Sequence, residues 1–373
     1  MTTLHAPTLE RRVPDARNPL HRPLLATSIA MAALAVFSLC AMIFDDRMLL
    51  HESVWLKTFK FGFAFALYTI TLAWLLSFPH RGQRFTWWMG SLFAVTALAD
   101  VGFIAVQAAR GTFSHFNEQT DAWNHYGQLV FMSGVPGLFA ANLVIALVLS
   151  WQKITDRPTT RAIHAGLGIA VIGMALGYAM GFTGEQHTTD AYGHPVTLGA
   201  GHTVMHGQPD IRDGGAGLPV THWSTTGGDL RVPHFVGLHG IQVLILASFA
   251  LLWLAKRVPW LRDERARARL VGVLALGYAG LVGILLWQAL RAQPLTHPDG
   301  TTLAALGALI TLTGAGATLV YAVHGRNRPR TLSARPTPMW STGSAESLGD
   351  NAIGGRGPGR HANTVSAGVR RRE

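Results

Sequence analysis

Long apolar runs separated by short polar connections dominate this chain. Eight of them can be marked near residues 24–44, 57–78, 86–108, 127–151, 162–182, 234–255, 270–290 and 301–323. Each holds about 20 residues, which at 1.5 Å per residue spans a hydrocarbon core of roughly 30 Å. Inside a bilayer every backbone N–H and C=O must find its partner within the protein, and a helix does this within one segment. The pattern therefore predicts an all-α fold, a polytopic membrane helix bundle with eight transmembrane helices over residues 24–323.

The connections are short with one exception, residues 183–233. That segment carries turn chemistry throughout, in Gly193-His194-Pro195, Asp213-Gly214-Gly215 and Gly227-Gly228-Asp229, together with apolar residues such as Leu218, Trp223 and Leu230. Long loops of this kind are usually functional or disordered, and the apolar residues here favour an ordered cap. Residues 1–23 form a polar N-terminal arm. Residues 324–373 combine arginines with Pro, Gly and Ser and too few large apolar residues for a core, so a disordered basic tail is expected there.

Composition reinforces the pattern. Hydrophobic residues make up 49% of the chain and charged residues 14%, with a mean hydropathy of +0.25, whereas a soluble protein carries roughly a quarter charged residues. A formal charge of +11 would point to nucleic acid in a soluble chain, but here the distribution decides. Alternate connections, beginning with the N-terminal arm, hold 19 Lys and Arg as far as Arg335, and the opposite set holds 5. By the positive-inside rule both termini are cytoplasmic, the 183–233 segment is outside, and the protein sits in the inner membrane with the lipid bilayer and no nucleic acid as its partner. Trp55, Trp87, Trp88, Trp123, Trp151, Trp260 and Trp287 fall near span ends, where amphipathic rings prefer the interface. The single cysteine, Cys40, excludes an intrachain disulfide.

Ionisable residues inside a membrane are costly and mark function or pairing. Lys57, Lys60 and Asp100 fall in the second and third spans. One account pairs Asp100 with Lys60 or Lys57 as a structural ion pair. The other makes the cations, with Arg110, the wall of an outward-facing pocket for an anionic or carbonyl-bearing small-molecule ligand. Asp100, Gln107 and Ser114 recur every seven residues and form a polar stripe. Gly173, Gly177 and Gly181 at spacing four read as a helix-packing face, and Pro136 as a bend in the fourth span.

Of 17 histidines, 11 fall at the outer side. His234 and His239 open the sixth span, and His239 is the deeper. Two histidines from different helices, His239 with His115 or His125, could hold a b-type haem. His202, His206 and Asp210 could hold zinc, although an H-x3-H pair is common by chance. No Gly-x-Ser-x-Gly elbow, His-Glu-x-x-His or phosphate-cradling loop is present.

Three strings carry a resemblance: Glu52-Ser-Val-Trp-Leu-Lys-Thr-Phe-Lys-Phe61, Gln107-Ala-Ala-Arg-Gly-Thr-Phe-Ser-His-Phe-Asn117 and Trp223-Ser-Thr-Thr-Gly-Gly-Asp-Leu-Arg-Val-Pro-His-Phe-Val-Gly-Leu-His239. The stretch from Leu50 to Gln242 resembles a family of uncharacterised bacterial multi-pass membrane proteins, departing from it at Thr58, where proline is expected. The resemblance implies membership and a shared outer surface, and no activity. On topology, the three strings should converge in one pocket beneath the long loop, with Lys57, Lys60, Asp100, Gln107, Arg110, Ser114, His115, Asn117, Asp229, Arg231, His234 and His239 in or near its wall. A membrane enzyme or binding protein, a haem electron-transfer protein, and a transporter or structural subunit all fit this reading.

Overall fold

The computed structural model describes residues 18–207 and 212–325; the expected tail from 326 onward, most of the N-terminal arm and Asp210 lie outside the described residues. Seven helices within this range are long and apolar enough to cross a membrane, and a bent pair of shorter helices makes an eighth candidate span. The bundle runs α1 (Arg22–Phe44), α2 (Leu56–Leu75), α3 (Gln83–Ala109), α4 (Ala122–Ser150), α5 (Arg157–Gly177, prolonged by a 3-10 turn to Phe182), α6 (Arg231–Leu238) with α7 (Gly240–Leu254), α8 (Glu264–Leu290) and α9 (Gly300–His324). It is an all-α helical bundle, as the apolar runs predict.

Local chemistry sets several helix starts. His21 caps α1 by accepting from the Leu24 amide, Asp121 caps α4 through the Asn124 amide, and Asp299 caps α9 through the Thr302 amide. Helix α4 continues through Pro136 without a break, because the lost bond is a single rung in a 29-residue helix held on both sides. The main apolar core fills the end of the bundle that holds the helix termini Leu24, Leu76, Leu149 and Ile163, with Leu72, Phe93, Ile145, Leu167, Ile241 and Leu244 fully buried among them. Helix α9 packs mainly on α8, with Tyr321 against Trp260, and leaves Leu303, Ile310, Leu312 and Leu319 exposed, as a lipid-facing helix does.

The sixth span is not the single straight helix the apolar run suggests. Helices α6 and α7 meet at 45° around His239. Gly237 lies against Gly173 of α5 so closely that a Cβ on Gly173 would overlap the Leu238 amide and the Gly237 backbone. The Tyr278 hydroxyl of α8 donates to the Val236 carbonyl at 2.7 Å. The glycine stripe thus does pack helices, through Gly173 and through Gly177, which faces the His234 ring; Gly181 lies in the 3-10 turn beyond α5, where an added Cβ would meet nothing within 4 Å.

The described residues of the long connection, 183–207 and 212–233, form an ordered cap. It contains a hairpin of β3 (Gln186–Thr189) and β4 (Pro195–Leu198), and a second pair, β5 (Thr203–Val204) with β6 (Gly228–Asp229). Gly228 rests on the Ala289 carbonyl of α8 with no room for a side chain. Asn117, in the α3–α4 connection, bridges to Leu198. A small hairpin ahead of α2, β1 (Met48–Leu49) with β2 (Glu52–Ser53), lies at the same end.

Candidate functional site

Under the cap the bundle opens into a cavity of about 950 Å³. Its deep wall is apolar, made by Phe65, Phe93, Leu138, Val135 and Leu238, with Tyr68 and Tyr278 near the floor. Its cap end is polar and carries Lys57, Lys60, Arg231, His115, His202 and His234. Between the two zones Phe63 of α2 and Met132 of α4 also line the cavity while remaining 61% and 70% exposed on the bundle surface. The cavity therefore opens sideways between lipid-facing helices.

Lys57 follows from the turn that begins α2, whose first helical residues project one turn apart towards the cap. It makes no hydrogen bond or ion pair among the described residues. Lys60, in contrast, donates to Glu52 Oε2 at 3.2 Å and to the Thr221 carbonyl at 3.1 Å. His222 Nδ1 lies 3.3 Å from the other Glu52 oxygen. Arg231 is clamped on Asp229 through Nε and Nη2, the latter at 2.6 Å, and reaches the His222 carbonyl.

The expected pairing of Asp100 with a lysine is not formed. Asp100 is 3% exposed, both carboxyl oxygens lack a partner, and it lies against Gly134 of α4, where any Cβ would overlap it. The β1–β2 hairpin brings Glu52 to Lys60 first, which leaves Asp100 on the cavity wall without a cation within ion-pair distance.

His115 enters the cavity because Phe116 adopts a left-handed conformation, φ +59°, which is rare for a bulky residue and turns the chain between α3 and α4. Its ring packs on Phe131 at 4.4 Å between centroids and on Phe61 at 5.5 Å. Burial, reinforced by the charges of Lys57, His202 and His234, holds its imidazole well below the ordinary value, so it is neutral at pH 7, and Nε2 is buried without a partner. Ser114 Oγ and Thr221 Oγ1, on the same wall, are buried without partners as well.

The most organised group is one that sequence reasoning missed. His202 Nδ1 lies 2.7 Å from Asp213 Oδ2. Asp213 also accepts from the amides of His202 and Thr203 and from Gln186 Nε2, while Gln186 Oε1 accepts from the amides of Arg212 and Asp213. Burial alone would raise the Asp213 carboxyl; the His202 and Arg231 charges and these donors override it and keep the group below the usual carboxylate range. A carboxylate so fixed holds the ring with Nδ1 towards Asp213 and leaves Nε2 for the cavity, an arrangement suited to proton transfer. Asp213 lies in an Asp-Gly-Gly turn, and only its spatial partner, 11 residues away, reveals it.

Of the anticipated residues, Lys57, Lys60, Asp100, Ser114, His115, Arg231, His234 and His239 share this one cavity. Gln107, Arg110, Asn117 and Asp229 do not line it and brace it instead. Gln107 joins Asn124 and the Phe113 carbonyl, Arg110 bridges Gln107 to Asp121, and Asn117 binds Thr112 and Gln119. The expected seven-residue stripe is therefore divided: α3 ends at Ala109, before Ser114, and Asp100 and Ser114 line the cavity while Gln107 makes a helix–helix bond. His125 is exposed at the start of α4 and outside the cavity, which removes it as a partner for His239. Of the zinc trio, Asp210 lies outside the described residues, His206 is exposed and His202 is engaged by Asp213; no cluster of three metal-ligating side chains exists among the described residues.

No family profile, curated relative or solved structure matches the chain. The site's own geometry is therefore the basis for any reading of function.

Proposed function

We propose that this is a bacterial inner-membrane protein, with its cap outside and both termini cytoplasmic, that binds an amphiphile bearing an anionic or carbonyl head. The observation that carries this reading is the polarity of the cavity: cations and imidazoles under the cap, aromatic and aliphatic walls below, and a lateral mouth at Phe63 and Met132. A ligand drawn from the bilayer would enter tail first between α2 and α4. Its head would meet the unpaired Lys57 and the neutral His115, with the His202–Asp213 couple placed to move a proton on it. All three motif strings supply residues to the cavity, and we infer from this that the resembled family shares the site.

Mass spectrometry of lipids co-purified in mild detergent tests the reading. The wild type should retain a discrete long-chain anionic or carbonyl-bearing species, and Lys57→Met should lose it by about tenfold, the weight of one charge-assisted contact. Recovery of bulk phospholipid alone, unchanged in Lys57→Met, would overturn it. A haem held by His115 and His239 is the second reading, favoured because both line this cavity. An absorption spectrum without a Soret band removes it.

A further inference from the structure

A second cavity, of about 670 Å³, lies at the end of the bundle opposite the cap. Lys153, Arg157, Arg161, Arg265 and Arg269 line it, with His164 at its inner end, and among the described residues no carboxylate does. The arrangement follows from two helix starts. Arg157 and Arg161 stand one turn apart on α5, Arg265 and Arg269 one turn apart on α8, and the two helices pack together.

Like charges at this spacing destabilise a helix. Here two such ladders share one cavity, with a lysine added from the α4–α5 connection. Two of the acidic residues nearby are engaged by other groups: Glu264 accepts from the Arg157 amide, and Asp263 binds the Arg265 amide and His324; Asp156, at the N-cap of α5, does not line the cavity. Arg161 donates to the Ala268 carbonyl at 3.1 Å across Gly272, whose missing side chain leaves room for the guanidinium. Arg269 meets His324 at 2.8 Å. The side chains of Lys153, Arg157 and Arg265 make no ion pair or hydrogen bond among the described residues. His164, about 10 Å further along α5 than Arg157, carries a buried Nε2 without a partner.

We propose that this cavity binds a phosphate-bearing anion of at least two negative charges, held by the α5 and α8 arginines. Guanidinium forks match phosphate oxygens in pairs, and an anion between the ladders removes the repulsion that each helix carries alone. This chemistry is shared by an acidic phospholipid headgroup, which a basic cavity between membrane helices suits, and by a soluble polyphosphate. The site is separate from the cap-end cavity and does not depend on how that one is read.

Native mass spectrometry of the full chain tests it with three probes: phosphatidylcholine bilayer discs, the same discs containing diphosphatidylglycerol, and sodium pyrophosphate in neutral detergent. Selective retention of diphosphatidylglycerol supports the proposal with a lipid as the source. Pyrophosphate binding without lipid selectivity supports it with a soluble source. In either case Arg161→Gln with Arg265→Gln should weaken binding by about tenfold or more per guanidinium, while Arg161→Lys with Arg265→Lys retains part of it. Equal retention of neutral and acidic lipid by the wild type together with no pyrophosphate binding overturns the proposal, and needs no variant to fold. Unchanged binding in the Gln variant overturns it too.

Discussion

Lys57 and Lys60 look equivalent in the sequence, one turn apart at the start of an apolar span, and the structure gives them opposite roles. Glu52 folds back on Lys60 through a two-residue hairpin, while Lys57 is left facing the cavity. That distinction depends on Leu50 and His51 adopting positive φ, which neither residue type announces. Asp100 was legible as an outlier in an apolar helix, but its lack of a partner was not: Lys60 is taken by Glu52 from the hairpin, and Lys57 makes no ion pair among the described residues. The consequence is measurable. Lys60→Met should cost about 1–3 kcal/mol by leaving Glu52 underpaired, Asp100→Asn should cost little, and the double change should add within about 0.5 kcal/mol. Thermal unfolding in detergent reads all three, and rescue of one change by the other would show a coupled pair. His115 gives a second prediction. Its folded pKa is lowered, so the stability contributed by its neutral ring is complete above the ordinary value of 6.5 and declines as pH falls from there towards the lowered value. Unfolding followed from pH 7.5 to 5.5 should show that decline, and His115→Gln should flatten part of it; identical slopes would show that His115 does not contribute to it.

At the scale of elements, the apolar periodicity located every span to within a few residues, because a helix that must bury its backbone in hydrocarbon is fixed by run length alone. The break at His239 was not legible. Residues 240–255 are apolar except for Gln242 and Ser248 and carry no proline, and the 45° bend comes with tertiary contacts, the Gly173–Gly237 crossing and the Tyr278 bond to the Val236 carbonyl. The bend matters for the site, since it turns His234, Phe235 and His239 onto the cavity. Gly173→Val should therefore force α6 away from α5 and destabilise by about 1–3 kcal/mol or more. Gly168→Ala on the same helix, where a Cβ meets nothing within 4 Å, should be neutral or slightly stabilising. If both behaved alike, the crossing would not be what positions α6. The cap was foreseen as ordered from its apolar residues, yet its central contact, Gln186 with Asp213 under His202, joins segments whose spacing follows no period and so left no trace in the pattern.

For the whole molecule, the count of cations by connection understated the difference between the two ends. At the cap end four arginines are neutralised: Arg47 by Asp45, Arg110 by Asp121, Arg231 by Asp229 and Arg291 by Asp299. At the opposite end five cations line a cavity without a carboxylate, and the ion pair found there among the described residues is His324 with Asp263. Connections poor in Lys and Arg are the ones carried across the membrane during insertion, so the tally predicts that the cap lies outside. In a Cys40→Ala background, which removes the single exposed thiol, cysteines can be placed at Thr189 on the cap hairpin and at Arg84 beside the start of α3, both exposed. A membrane-impermeant maleimide applied to intact cells freed of their outer wall should label position 189 at once and position 84 only after lysis. Labelling of position 84 in intact cells would reverse the orientation. It would also move the cap-end cavity to the cytoplasmic side, and with it the compartment from which a polar head reaches Lys57.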